Sequence, residues 1–287
     1  MESVSEHVFI ENQYPGITLG VISQSRGLIQ IDAPPSPEDG RSWRAALMNL
    51  GGGPDRILVN LDAHPDRTLG VRAMDCTVIA HEKTAQIFRS RPSAFKAQGD
   101  DTGADWEAIP GLGGIRWVQP EISFTHNLSL YWGDMPVLIE NHTGPSAGAV
   151  WVILPEEKIV FVGDAVLKNQ PPFLANADLP AWIESLDLLQ RKPFRDYVIV
   201  SGRGGPVPAE VVKNQADFLK DALKKLEKLA AKQAPPEAIE GLAQSMAPNF
   251  KASGARLKQY TQRLRYGLLH YYSRHYHTGN NIAAPEE

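Results

Sequence analysis

The chain has 287 residues, 43% apolar and 22% charged, with a net charge of −4. That length supports one large domain with a full core, and the acidic balance gives no reason to expect nucleic acid as a partner. A single cysteine, Cys76, excludes an internal disulfide, suits a reducing compartment and reads as a small buried side chain. No run approaches ~18 uninterrupted apolar residues and the acidic start lacks the apolar stretch of a secretory signal, so the expectation is a cytoplasmic protein without a membrane span.

The first third reads as strands at His7 to Glu11, Ile17 to Ile22 and Gly27 to Ile31, the last two separated by the turn residues 24–27. Ser36-Pro37-Glu38-Asp39 is a helix start, with Ser as N-cap and Pro at the first helical position. That helix is expected to stop at the glycines 51–53. Arg56 to Asn60 and Thr77 to His81 read as buried strands, the second followed by a helix over Glu82 to Arg89. Residues 91–114, rich in Gly, Asp and Pro, look like an excursion or lid. Phe95, Trp106 and Trp117 could pack in the core or wall a cleft.

Further strands are predicted at Arg116 to Thr125, Leu128 to Trp132 and Val137 to Glu140, then a hairpin over Ala149 to Leu154 and Ile159 to Val162. A helix at Leu179 to Leu189 and a strand at Tyr197 to Val200 follow. The rest is helical: Ala209 to Lys232, with apolar residues near helical spacing, a short helix at Glu237 to Ser245, and Gly254 to His275. On the last of these, Arg256, Lys258, Arg263 and Arg265 read as a solvated basic face. The aromatic stripe of Tyr260, Tyr271, Tyr272 and Tyr276 suits core packing or a homodimer contact through the C-terminal helices. His270, His275 and His277 read as an exposed tail rather than a metal tract.

Four segments carry a resemblance. The strand ending at Asn60 runs into Leu61-Asp62-Ala63-His64-Pro65-Asp66-Arg67-Thr68. Later come Glu140-Asn-His142-Thr-Gly144, Phe161-Val-Gly-Asp164 and Ser201-Gly-Arg203-Gly-Gly-Pro206. Together they resemble, in order, the signature segments of the metallo-β-lactamase superfamily of glyoxalase II-like hydrolases. The resemblance spans roughly residues 7 to 207. It implies an α/β fold of αββα type, with two mixed sheets between helices. Residues 1–207 would then form that domain, with 208–287 a helical extension packed on it.

The resemblance also implies a dinuclear metal site, and here the ligand set is broken. The positions of the first loop hold Asp62, His64, Asp66 and Arg67; the second segment supplies His142, the third Asp164 and the last Arg203. Guanidinium has no lone pair to donate and stays protonated, so Arg67 and Arg203 cannot replace imidazole ligands. Asp66 and Asp164 remain, and two buried carboxylates without a cation would be costly. The expectation is that Arg67 and Arg203 stand where the second metal would, forking onto Asp66 and Asp164. Asp62, His64 and His142, with Asp164 as a substitute, leave a first site that suits one divalent ion, zinc or iron, or none. Asp32, His81, Thr68 and Thr143 read as structural supports, and His126 as solvated.

Three functions follow. One is a hydrolase acting on an ester, a thioester or an anionic small molecule, with Asp66 orienting water and Arg67 and Arg203 holding negative charge. The second is a non-catalytic relative whose cleft binds a small anion or a protein partner. The third is mononuclear iron oxygenase chemistry.

Overall fold

A computed structural model describes residues 1–96 and 102–276. Residues 97–101 of the excursion and His277 lie outside the described residues.

Seven strands form the first sheet in chain order: β1 (Glu2–Ser3), β2 (Val8–Glu11), β3 (Leu19–Ser23), β4 (Gly27–Ile31), β5 (Asp55–Val59), β6 (Thr77–His81) and β7 (Ile122–Phe124). β1 to β4 pair antiparallel, and β4 to β7 parallel. The second sheet is built from β8 (Asn127–Leu130), β9 (Val137–Asn141), β10 (Val150–Leu154), β11 (Ile159–Phe161), β12 (Val198–Ser201) and β13 (Gly205–Val207). Only β11 and β12 pair parallel there. Both sheets are therefore mixed.

Alternation along the strands sorts side chains into three layers. Ile22, Ile29, Ile31, Val59, Val150, Val152 and Phe161 meet between the sheets. Gly20 belongs to this layer because Phe161 leaves no room: a Cβ there would sit 2.5 Å from its ring. On the outer side of the first sheet, Leu19, Val21 and Leu28 pack on Trp43 and Leu47 of α1 (Pro37–Leu47). Ser36 caps that helix by accepting the Asp39 N–H at 3.0 Å. Two one-turn helices, α2 (Pro65–Thr68) and α3 (Val71–Met74), and α4 (Glu82–Ser90) complete this half.

On the outer side of the second sheet lie α5 (Leu179–Leu189), α6 (Ala209–Ala231), α7 (Ala238–Met246) and α8 (Gly254–Tyr276). Trp151, Ile153 and Ile199 of the sheet share one apolar cluster with Trp182, Leu219, Ala243 and Leu264, so the C-terminal helices are built into the core of the sandwich. No helix among the described residues is long and apolar enough to cross a membrane.

Three expectations change. The strand read over 116–125 is reduced to Ile122–Phe124, with Ala94 and Arg116 making an isolated bridge. The excursion is not only a polar lid: Phe95 and Leu112 are buried with Leu69, and Phe95 meets Trp106 and Trp117 edge-on. The basic face of α8 is not uniformly solvated, for Arg263 is 1% exposed. Its guanidinium turns inward because the excursion offers it a carboxylate and a carbonyl, Asp105 and Gly103.

Candidate functional site

The turns that carry the charged residues leave the ends of four strands. Asp32 follows β4, residues 61–68 follow β5, Asp164 follows β11, and Arg203 lies between β12 and β13. Strand-end loops converge where two sheets close on each other, so residues far apart in sequence share one buried cluster.

Arg67 and Arg203 are 0% and 1% exposed. Arg67 Nη1 donates to Asp32 Oδ2 at 2.6 Å, its Nη2 donates to Asp164, and its Nε lies 2.9 Å from Asp62 Oδ1. Arg203 Nη2 donates to Asp66 Oδ2 at 2.7 Å and to Asp164 Oδ2 at 3.2 Å, while its Nε reaches Asp164 Oδ1 at 3.3 Å. Its Nη1 donates to Asp105 Oδ2 at 3.0 Å. Both guanidinium groups thus hold Asp164 as the sequence leads one to expect, but only Arg203 also holds Asp66. Arg67 turns instead to Asp32 and Asp62.

The electrostatics follow from burial set against these cations. Burial acts to raise the Asp164 carboxyl, but the charges of Arg203 and Arg67 outweigh it and hold it well below the usual range. Asp66 is lowered in the same way, against its burial, by Arg203 and by the His64 hydrogen bond. Asp105 is lowered against its burial by Arg203 and Arg263. Asp32 goes the other way: burial pushes it up to about 6 despite Arg67, because its solvation loss is complete and Asp62 is close by. Its backbone is left-handed, with φ of 59°, which Asp tolerates better than most residues, and its other oxygen accepts the Leu61 N–H at 2.9 Å. Asp32 therefore supports the loop from behind, as its place at the end of β4 implies.

Asp105 was invisible to motif reasoning. It sits in a 3₁₀ turn of the excursion and, besides Arg203, receives Arg263 Nη2 at 3.1 Å, Arg256 Nη1 at 2.7 Å and Gln259 Nε2 at 3.2 Å. α8 is thereby keyed to the site. Phe173 lies within 4.5 Å of both Arg203 and Arg263, ring to guanidinium, and 4.4 Å from the His64 ring. No spacing rule marks these residues; a buried Arg on a helix otherwise read as solvated was the only missing clue.

His64 is 8% exposed, with Nδ1 3.1 Å from Asp66 Oδ2 and 3.3 Å from Arg203 Nη2. Asp62 accepts the His64 N–H at 2.8 Å. His142 takes other partners: its ring stacks on Trp151 at 3.7 Å, and Nε2 lies 3.3 Å from Glu140. Burial lowers its pKa against the pull of Glu140. Among the described residues, no group of three or more His, Cys, Asp or Glu is arranged to hold a metal ion. The four residues that the resemblance implies as ligands are not gathered at one point. Asp66 and Asp164 already take their hydrogen bonds from guanidinium groups, so this donor set does not fit a metal pair.

Beside the cluster opens a cleft of about 430 Å³. Asp62, His64 and Asp164 line one side; Arg91, Arg274, Ser146 and Phe173 line others. Arg67 and Arg203 do not line it. They stand one layer behind, holding the carboxylates that do.

No family model matches the chain, and no curated protein sequence matches it. Solved structures do. A metallo-β-lactamase from Pontibacter korlensis is 20% identical with a TM-score of 0.59, over 76% of this chain and 97% of that one. A stereoselective inverting sec-alkylsulfatase from Pseudomonas sp. is 14% identical with a TM-score of 0.65, over 95% of this chain. The chain spans 49% of that sulfatase, about half its length. The likeness is one of fold: two mixed sheets flanked by helices, in the arrangement of the metallo-β-lactamases.

Proposed function

We propose that this chain is a metal-independent protein of the metallo-β-lactamase fold, whose cleft binds a small molecule and whose buried arginines replace metal ions as the counter-charge of the site. The observation that carries this reading is the contact of one Arg203 nitrogen with both Asp66 and Asp164. Those carboxylates need a cation when buried, and a guanidinium supplies it with directed hydrogen bonds. A dication arriving there would have to displace both arginines, against their repulsion.

His64 is the group in the cleft wall best suited to proton transfer. A carboxylate at Nδ1 fixes an imidazole and leaves its other ring nitrogen to exchange a proton with whatever occupies the cleft. Arg67 and Arg203 act through Asp62, Asp66 and Asp164, setting their charge and direction rather than touching a ligand.

A second reading keeps one metal and hydrolysis. It is favoured by a single fact, that Asp62, His64 and Asp164 line the same cleft. It requires Asp164 to leave two guanidinium groups.

Metal analysis of protein purified without chelator separates the two. The proposal expects below about 0.1 metal per chain, and a melting temperature unmoved by chelator or added zinc, because a ligand stabilises only the state that binds it. One zinc or iron per chain, whose removal lowers the melting temperature, overturns it.

A further inference from the structure

We infer that the cleft beside His64 takes a small uncharged molecule with an apolar body, and that Ser146 is the residue holding its polar oxygen. This rests on the reading of the cleft as a small-molecule site.

Ser146 lies on the turn between β9 and β10. That turn is pinned from several sides. The Gly144 carbonyl accepts the Asp178 N–H at 2.8 Å, the Gly148 carbonyl accepts Thr84 Oγ1 at 3.1 Å, and the Ala149 carbonyl accepts Asn141 Nδ2 at 2.9 Å. The Ser146 carbonyl itself accepts the Gly144 N–H at 3.3 Å. The backbone is therefore held, yet Ser146 lines the cleft and its Oγ is buried with no hydrogen-bond partner among the described residues. A hydroxyl left in that state is unfavourable, and donating to a ligand oxygen would satisfy it. Because the turn is already fixed, that bond requires little further ordering.

The charges of the wall give the ligand its class. Apart from His64, its ionisable residues are two carboxylates, Asp62 and Asp164, and two guanidinium groups, Arg91 and Arg274, whose formal charges cancel. Each is engaged by the protein. Asp62 lies 2.9 Å from Arg67, and Asp164 accepts from both Arg67 and Arg203. Arg91 Nη1 donates to the Ala63 carbonyl at 2.8 Å, and its guanidinium lies 4.5 Å from the centre of the Trp117 ring. Arg274 Nη2 donates to the Ala177 carbonyl at 2.7 Å. A charged ligand would meet no counter-charge that the protein does not already use, and taking it out of water there is costly. A neutral dipole avoids that cost and matches a hydroxyl that is itself neutral.

The rest of the wall suits an apolar body. Ala63, Ile87, Pro145, Ala147 and Phe173 line the cleft. Phe173 is a rigid face, since Arg203 and Arg263 pack on its ring. The volume, about 430 Å³, lies near the small end of the ~300–1,000 Å³ typical of small-molecule sites, which favours a compact ligand over a polymer.

The test is calorimetric titration of the full chain at low salt with benzamide and with benzoate, its charged isostere, alongside thermal melts of Ser146→Ala. Benzamide is expected to bind at least ~10-fold tighter than benzoate, and Ser146→Ala to weaken it roughly fivefold. The same substitution is expected to leave the melting temperature of the ligand-free protein unchanged or raised, because it deletes an unmet polar group. A lowered melting temperature means that the hydroxyl serves the fold and overturns the role of Ser146, as does unchanged benzamide affinity in the variant. Benzoate binding as tightly as benzamide overturns the uncharged assignment and leaves the small-molecule reading standing. Failure of both probes overturns this inference, whereas the metal-independence of the site is decided separately by metal content.

Discussion

Arg203 and Asp66, 137 residues apart in sequence, meet at 2.7 Å with both side chains at most 1% exposed. Such a pair is held more by what its loss leaves behind than by its own attraction. Arg203→Met removes the cation, strands Asp66 and leaves Asp164 with Arg67 alone, for an expected loss of about 3–5 kcal/mol in urea unfolding. Arg203→Lys retains the charge without the fork and should fall between. The informative variant is triple, Arg203→Met with Asp66→Asn and Asp164→Asn. If charge compensation is the role of Arg203, the triple variant is more stable than Arg203→Met alone.

Acid should destabilise the fold in a defined window. Asp66, Asp105 and Asp164 are depressed below the ordinary carboxylate range, so the stability they contribute is present above about pH 4 and lost as pH falls toward their folded values. Asp32 is raised to about 6, so its contribution has the opposite sign: it is full below about pH 4 and lost as pH rises through 6. Unfolding free energy should therefore hold or rise slightly from pH 7 to 5, then fall steeply below 4. Asp32→Asn should abolish the rise between 7 and 5 without moving the acid limb. A monotonic decline from pH 7 downward would contradict this assignment.

Close approach of backbone to the site makes one glycine irreplaceable. A Cβ on Gly202 would sit 2.5 Å from both Asp164 Oδ1 and the Gly163 carbonyl carbon, and backbone cannot yield as a flexible side chain can. Gly202→Ala should cost about 1–3 kcal/mol or more. Gly241, in α7 with nothing within 4 Å of its added Cβ, is the control: Gly241→Ala should stabilise by about 0.5–1 kcal/mol. Thermal melts of the two variants should move in opposite directions.

The sequence made the frame legible because each element carried its own signal. Ser36 and Pro37 marked the start of α1, a short continuous apolar run marked β6, and Leu179–Leu189 appears as a helix over the span read for it. The arginine substitutions were legible because imidazole and guanidinium differ in kind: one donates a lone pair and the other cannot. Which carboxylate each arginine takes was not, since Asp32 and Asp66 are equally acidic in a string of letters and only loop geometry separates them. His142 illustrates the same gap, being on a matching segment yet turned to Trp151 and Glu140. Asp105 and Arg263 were missed because they meet only through tertiary contact, 158 residues apart.

That missed contact yields the last expectation. Asp105 is 8% exposed and joins Arg203 of the site to Arg263 and Arg256 of α8. Asp105→Asn leaves Arg203 and Arg263, each 1% exposed, without the carboxylate between them, and should cost about 3–5 kcal/mol. Arg256→Gln removes a donor whose side chain is 55% exposed, where solvent screens the pair, and should cost about 1 kcal/mol or less. The local consequence is more telling than the global one. Because Asp105 ties its turn to α8, hydrogen exchange in Asp105→Asn should accelerate at 102–109 and along the first turns of α8 before it does in β10 or β11. Uniform acceleration across both sheets would mean that Asp105 stabilises the whole sandwich and does not specifically fasten the C-terminal helix to the site.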